Sequence, residues 1–260
     1  LTWNDDGVSG PGEGNCFFDS AITGHGDTLK LGSSSGTFYS AAVFMYRVAC
    51  DSTGDDFAEF DDGSGNMAVY DCYVKNAGTG FSVDGIYGGP VYFARNRVGN
   101  LSRHSIKITS DSQNVAVYSN TWARPAGQND AGSTAGQHNF YSPFGGTNSS
   151  WRVKNNAIIW RGASGDVVRW DCTMPGLDWD YNATYPSTGR NYTLGSGRGA
   201  YTGLAAAQTG LAPLMAHDVA GTSNPFAATI TFGSDYTTEY TGSMEWTLDS
   251  GSDLVAAGVD

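Results

Sequence analysis

The stretch Val69-Tyr-Asp-Cys-Tyr-Val74 recurs along the chain in varied form. Each copy has an apolar residue, two variable residues, a small or polar residue that we call the pivot, one variable residue and a second apolar residue. Clear copies follow at 93–98, 117–122 and 153–158, and the four pivots are separated by 24, 24 and 36 residues. A repeat of this length built from strand-forming residues predicts a solenoid, in which each turn stacks on the turn before it.

Weaker copies extend the pattern in both directions and bring the pivots to seven: Ser20, Tyr46, Cys72, Asn96, Asn120, Asn156 and Asn182. Two residues after each pivot lies an almost wholly apolar column: Ile22, Val48, Val74, Val98, Trp122, Ile158 and Thr184. Because side chains alternate between the two faces of a strand, we expect this column to line one continuous core. A pivot Asn is expected to tolerate a left-handed corner and to hydrogen-bond to the Asn of the adjacent turns.

Two further sets of strand-forming segments share the repeat, one leading into each pivot and one about 9–13 residues after it. Three strands per turn indicate an all-β fold, a single-stranded parallel β-helix with about seven coils of 24–26 residues and a C-terminal cap. A β-propeller or sandwich is the alternative, but these need units of about 40 residues or antiparallel hairpins. The predicted organisation is coils over 1–185, with a long loop insertion at 124–148, and a capping segment over 186–260, where 201–208 is predicted to form a helix with Thr202 as N-cap.

The repeat resembles the right-handed parallel β-helix superfold of pectate lyases, polygalacturonases, alginate lyases and tailspikes, over about residues 15–185. The segment 87–92 with Arg95-Asn96, and the segment from Asp180 to Asn182, resemble parts of bacterial secreted β-helix proteins. The resemblance implies a secreted or cell-surface protein whose partner is a polysaccharide, and it favours a polysaccharide lyase or glycoside hydrolase.

Composition excludes several other classes. The net charge of −12, with 14 Lys plus Arg against 26 Asp plus Glu, argues against nucleic-acid binding. No apolar run approaches the roughly 18 residues of a membrane span. The four cysteines form no CxxC pair, so a zinc site or redox motif is not expected, and the pivot Cys72 is predicted to pack in the core.

Counting residues from each pivot predicts that polar side chains from successive coils form one surface, which we call the charged ridge. Adjacent coils lie about 4.8 Å apart, so residues remote in sequence become neighbours there. The predicted members are Asp27, Lys30, Asp55, Asp56, Glu59, Ser82, Arg103, His104 and Lys107. His138 in the long loop insertion is expected to overhang the ridge. The predicted substrate-binding residues are Arg124, His138, Lys30 and Ser82.

Two chemistries suit these residue types. In a lyase, Lys107 or His104 would be the base, Arg103 the acid or neutraliser of a uronate carboxylate, and Ca²⁺ would be held by Asp55, Asp56 and Glu59. In a glycoside hydrolase, two carboxyl groups flank the bond, so Asp55 or Asp56 would act with Glu59 or Asp84. Asp55-Asp56 and Ser105-Ile-Lys107 also resemble, loosely, the Asp-Asp and Arg-Ile-Lys of polygalacturonases, although the Gly-His-Gly at 24–26 precedes the Asp pair instead of following it.

The alternative is that the ridge has no catalytic role. The acidic segment 53–65 is equally typical of a solvated turn, and Lys107 of an outward strand position. The protein would then be a non-catalytic surface, adhesive or fibre-forming module with end-to-end self-association.

Overall fold

The computed structural model describes residues 8–9, 14–31, 42–61, 65–86, 89–124, 138–142, 146–160, 166–185, 189–221, 225–227, 230, 240–244, 246–247 and 249–250. Of the residues that the structure describes, 52% lie in strands and 4% in a helix, and the coils stack in parallel as a β-solenoid of about six turns. The predicted all-β repeat fold is therefore confirmed. Seven pivots enclose six complete coils, which is why the repeat count suggests about seven turns.

Each complete coil contributes strands to three faces. Face 1 is a seven-stranded sheet whose strands lead into the pivots: β2 (Cys16–Phe18), β5 (Phe44–Tyr46), β7 (Met67–Tyr70), β9 (Val91–Ala94), β12 (Val115–Tyr118), β15 (Arg152–Lys154) and β18 (Asp178–Asp180). Face 2 follows the pivots: β3 (Ala21–Thr23), β10 (Arg97–Gly99), β13 (Thr121–Arg124), β16 (Ala157–Trp160), β19 (Ala183–Tyr185) and β22 (Val219–Ala220).

Face 3 completes the coil: β1 (Val8–Ser9), β4 (Leu29–Leu31), β11 (Ile106–Ile108), β14 (His138–Ser142), β17 (Asp166–Trp170), β20 (Asn191–Leu194) and the antiparallel β21 (Tyr201–Thr202). Two long strands, β6 (Ala49–Phe60) and β8 (Tyr73–Val83), run through both faces 2 and 3. These two strands join faces 2 and 3 into one fifteen-stranded sheet.

The apolar column after the pivots lies in the core, but the sequence frame is wrong in one coil. Strand pairing aligns Ile22 with Cys50 and Cys50 with Val74, so Cys50 takes the place predicted for Val48. The pivot of that coil is accordingly Val48, two residues after Tyr46. The coil before Val48 has 28 residues and the coil after it has 24. The predicted pivot Tyr46 divides the same 52 residues into two equal intervals of 26, so the spacing gave no sign of the shift.

Aromatic side chains fill much of the remaining core. Phe81 stacks on Phe93 with ring centroids 3.8 Å apart, and Trp170 meets Trp179 edge-on at 5.5 Å. All four of these side chains are buried. Both contacts join face 3 to face 1 across the interior of a single coil, and they add to the burial of apolar area that stabilises the core.

The asparagine pivots form one ladder of hydrogen bonds at the corner between faces 1 and 2, as predicted. The backbone N–H of Asn96 donates to Asn120 Oδ1 over 2.9 Å, and Asn96 Nδ2 donates to the same oxygen over 3.0 Å. The left-handed residue, however, is the one before the pivot, as at Arg95 (φ 56°) and Ser119 (φ 55°). The pivots themselves point into the corner, so their neighbours make the turn.

The two ends of the ladder are not asparagines. At one end, the backbone N–H of Cys72 donates to Asn96 Oδ1 over 3.0 Å, and burial raises the pKa of the Cys72 thiol to about 12. At the other end, Asp218 accepts from the Asn182 backbone N–H (2.8 Å) and from Trp179 Nε1 (2.7 Å). Burial raises the pKa of Asp218 to about 7. Cys72 is thus a core residue, as its position predicts.

Strand pairing continues past the predicted boundary at residue 185. β20 pairs in parallel with β17, and β22 pairs in parallel with β19. Between them lies helix α1 (Leu204–Gly210), which begins after Gly203 and has no side-chain cap, so the predicted N-cap Thr202 is wrong. Among the residues that the structure describes, no helix has the length and apolarity to cross a membrane.

The predicted loop insertion at 124–148 contains a strand of the solenoid. β14 pairs with β11 on one side and β17 on the other, so it belongs to face 3. Residues 125–137 and 143–145 lie outside the described part of the chain. The sequence pattern missed β14 because it lies farther from its pivot than the corresponding strands of the other coils.

Candidate functional site

The charged ridge is built on the outward side of face 3. Lys30 pairs in register with Glu59, Glu59 with Ser82, and Ser82 with Lys107. The residues on either side of each member are buried in the core, so alternation directs the four side chains away from it. The row that was predicted by counting from the pivots is therefore present.

The corner that precedes this row separates Asp55 from Asp56. The register between β6 and β8 shifts between Thr53 and Asp56, which is where an irregularity re-aims side chains. The Asp55 side chain is 51% exposed, whereas that of Asp56 is 1% exposed. A Cβ on Gly78 would lie 2.4 Å from the carbonyl oxygen of Asp55, so the neighbouring coil needs glycine there.

Asp27 joins the acidic residues at this corner. Its Oδ1 accepts the backbone N–H of Asp56 over 2.9 Å, and its side chain is almost fully buried. One carboxyl oxygen from each of Asp27, Asp56 and Glu59 lies within 4.8 Å of the other two. The carboxyl cluster thus contains Asp27 in the place predicted for Asp55.

Three cations neutralise the acids of the ridge. Lys30 Nζ lies 3.2 Å from Asp27 Oδ2 and also contacts Glu59 Oε2. Lys107 Nζ lies 2.9 Å from Asp56 Oδ2, and Arg103 pairs with Asp55. These ion pairs connect side chains from three coils, and Lys107 and Arg103 reach their partners across the coil that carries Ser82.

The pKa of Glu59 is raised. Burial raises it to about 8, and this effect outweighs the contact with Lys30, which lowers the pKa. Burial alone would also raise the pKa of Asp27, but the Asp56 backbone N–H and the hydrogen bond with Glu59 outweigh it and leave the pKa lowered. The pKa values of these two neighbouring carboxyl groups are therefore shifted in opposite directions.

The remaining charges of the ridge are set by their neighbours. Burial alone would lower the pKa of Lys107, but the adjacent Asp56 carboxylate outweighs it, so the pKa is raised and the lysine stays protonated. The pKa of Asp55 is raised by burial and by Asp56. Among the described residues, nothing forms a hydrogen bond with the buried Asp56 Oδ1 or with the buried Thr79 Oγ1, whose residue pairs with Asp56. This unsatisfied polar site lies directly beneath the ridge.

Ser82 and His104 lie at the ridge but are buried. Ser82 occupies the row between Glu59 and Lys107 with 1% exposure. The His104 ring stacks on Tyr141 with centroids 4.7 Å apart. Tyr141 pairs in register with Lys107 and so extends the row. Sequence reasoning missed it because β14 was not recognised, although the alternation within His138–Ser142 was a usable signal.

Arg124 is placed differently from the prediction, and the prediction for the His138 side chain is not tested. Arg124 is fully buried, and burial lowers its pKa to about 9, so it does not face a substrate at the surface. It ends β13 on the same side of the strand as the core residue Trp122. The backbone of His138 begins β14 and pairs with Asp166, while its side chain lies outside the described part.

Comparisons with models of protein families, with curated proteins and with solved structures find no match to this chain. The structure shows a parallel solenoid. The resemblance to the pectate-lyase-like superfold stays a prediction.

Proposed function

We propose that the protein is a secreted or cell-surface β-solenoid that binds a polysaccharide and cleaves it at the charged ridge. The observation that carries this proposal is the position of Glu59 in the carboxyl cluster, where burial raises its pKa to about 8, a value that suits a proton donor at neutral pH. Perturbed carboxyl groups of this kind concentrate at catalytic sites.

In this proposal Glu59 protonates the oxygen of the glycosidic bond. Asp55 is the most exposed carboxyl group of the ridge and acts as the second carboxyl group of the pair. Lys107 is held protonated by Asp56, which disfavours the role of base and suits it to bind an anionic group of the substrate. Arg103, beside Asp55, supplies a second cation at the same place.

Calcium binding stays a prediction with a changed ligand set. The carboxyl oxygens of Asp27, Asp56 and Glu59 are the hard oxygen ligands that Ca²⁺ takes, and Asp56 Oδ1 has no partner. The Lys30 ammonium, however, already contacts two of these three carboxyl groups. For this reason the proposed reaction contains no step that depends on calcium.

A non-catalytic module is the second candidate, and the ion pairs favour it. Asp55, Asp56 and Glu59 each contact a cation of the ridge, and Asp56 is buried. Such a network can also be purely structural. A surface or adhesive protein that binds polysaccharide, or associates end to end, would then need no reaction at the ridge.

A panel of polysaccharides tests the two candidates. Release of reducing ends without ultraviolet absorbance of unsaturated sugars would indicate a hydrolase, and release with that absorbance would indicate a lyase. With a polysaccharide that is cleaved, we expect Glu59→Gln to lower the rate by about 100-fold or more, because a general acid typically contributes that much.

Asp178→Asn is the matched control, because Asp178 also pairs with a lysine but lies on face 1. It should keep the wild-type rate. Full activity in Glu59→Gln would refute the assignment of the proton donor, and binding without any cleavage across the panel would establish the second candidate.

A further inference from the structure

Face 1 carries a groove that is separate from the ridge. It has a volume of about 350 Å³, and its lining residues are Pro90, Tyr92, Asn114, Val115, Ala116, Tyr118, Ser150 and Arg152. Three of these occupy one outward column across consecutive coils, because Tyr92 pairs with Ala116 and Ala116 with Arg152. The small Ala116 forms the floor, and the larger side chains of the adjacent coils form the walls.

The aromatic wall is not explained by core packing. Tyr92 is 42% exposed, whereas its neighbours Val91 and Phe93 are fully buried. Tyr118, two residues along the strand from Ala116, adds a second ring beside the floor. Exposed rings around a shallow groove offer electron-rich faces, against which the C–H groups of a sugar ring pack well.

The opposite wall is Arg152, for which the described residues supply no counter-ion. Other cations on face 1 or at its corner are paired: Arg47 with Asp19, Arg95 with Asp71 and Lys154 with Asp178. Arg152 has no carboxylate partner within the described part of the chain. In a protein of net charge −12, an unpaired guanidinium at a groove indicates an anionic ligand.

We propose that this groove binds an acidic sugar unit of a polysaccharide, with its ring on Tyr92 and its carboxylate on Arg152. The strands that carry these residues are two steps apart, roughly 10 Å, which leaves room for one pyranose ring over Ala116. The planar guanidinium binds a carboxylate through two parallel hydrogen bonds. The polysaccharide class rests on the proposed function, but the site lies on a different face and binds without cleaving.

Calorimetric titration of the full chain with a hexamer of galacturonic acid, and with a neutral hexamer of glucose, tests the proposal. We expect the acidic hexamer to bind more tightly and Arg152→Ala to weaken its binding about tenfold or more, since one charge-assisted contact contributes at least that factor. Tyr92→Ala should weaken it by about threefold or more, because it removes the ring on which the sugar packs. Lys154→Ala is the matched control: it removes the same charge from the same strand, outside the groove, and should change the affinity less than twofold.

Three results would overturn the proposal: no binding of either hexamer, equal affinity for both, or unchanged affinity in Arg152→Ala. The same titration in Glu59→Gln protein separates this site from the ridge. Binding retained there supports the groove whether or not the ridge is catalytic, whereas binding lost there would place the acidic hexamer at the ridge.

Discussion

The asparagine ladder makes a quantitative prediction about Asn120→Ala. The side chain of Asn120 takes part in four hydrogen bonds: Nδ2 donates to Phe93 O (2.9 Å) and Asn156 Oδ1 (3.0 Å), and Oδ1 accepts from Asn96 N (2.9 Å) and Asn96 Nδ2 (3.0 Å). Alanine removes all four. Asn156 Oδ1 keeps the backbone N–H of residue 120 as a donor, at 3.0 Å.

The loss leaves the backbone N–H of Asn96 without a partner inside the corner, whereas the carbonyl of Phe93 keeps its place in the ladder between β9 and β12. An unsatisfied buried group costs about 1–3 kcal/mol and each further hydrogen bond contributes about 1 kcal/mol net, so we expect the free energy of unfolding to fall by about 2–5 kcal/mol. In a chain of this size that corresponds to a decrease in the unfolding midpoint of roughly 10 °C. Urea unfolding followed by far-ultraviolet circular dichroism, together with a thermal scan, measures both quantities.

Asn15→Ala is the control, because Asn15 is exposed and only its backbone carbonyl, which alanine retains, makes a hydrogen bond, to the Phe44 N–H. It should change the free energy of unfolding by less than about 0.5 kcal/mol. A loss below about 1 kcal/mol in Asn120→Ala would refute the reasoning, since it would mean that the corner satisfies its backbone groups without the ladder.

Three further predictions concern stability and reactivity. The folded pKa values of Glu59 (about 8) and Asp218 (about 7) lie above their unfolded values, so the unfolded chain loses these protons at lower pH than the folded chain does. The free energy of unfolding should therefore fall as the pH rises from about 5 to about 8.5. Urea midpoints at the two pH values measure this, and a rise in the midpoint would contradict it. Gly80→Ala should lower the thermal midpoint by several degrees, because its Cβ would lie 2.6 Å from the carbonyl oxygen of Ser105 in the next coil; an unchanged midpoint would show that the coils can separate freely there. A thiol reagent should label only Cys16 of the four cysteines in the native protein and all four in denaturant, because the other three are buried; mass spectrometry counts the labels, and rapid labelling of more than one would contradict the core.

The row of the ridge was predictable because it depends only on local alternation. Once Leu29–Leu31 and Ile106–Ile108 are recognised as strands with apolar ends, Lys30 and Lys107 must point outward. The corner was not predictable in the same way. Asp55 and Asp56 are adjacent in sequence, and only the irregular register between β6 and β8 decides which one is buried.

The pKa values of the ridge also depend on the assembled coils. Glu59 is an ordinary outward residue in the sequence, and its pKa rises because neighbouring coils bury it and bring Asp27 to it. Arg124 shows the opposite error. A charged residue at the start of an apparent loop was expected at the surface, yet it ends β13 inside the solenoid.

The sequence by itself determined that this chain folds as stacked parallel coils. The apolar repeat places one column of side chains in the core, and the asparagine pivots of adjacent coils hydrogen-bond to each other. Tertiary structure alone decided the lengths of the individual coils, such as the shift from Tyr46 to Val48, since backbone pairing, not residue spacing, sets register. It also decided the charge state of the ridge and the groove on face 1. Both arise between side chains of different coils, whose proximity, burial and electrostatics exist only after the coils have stacked.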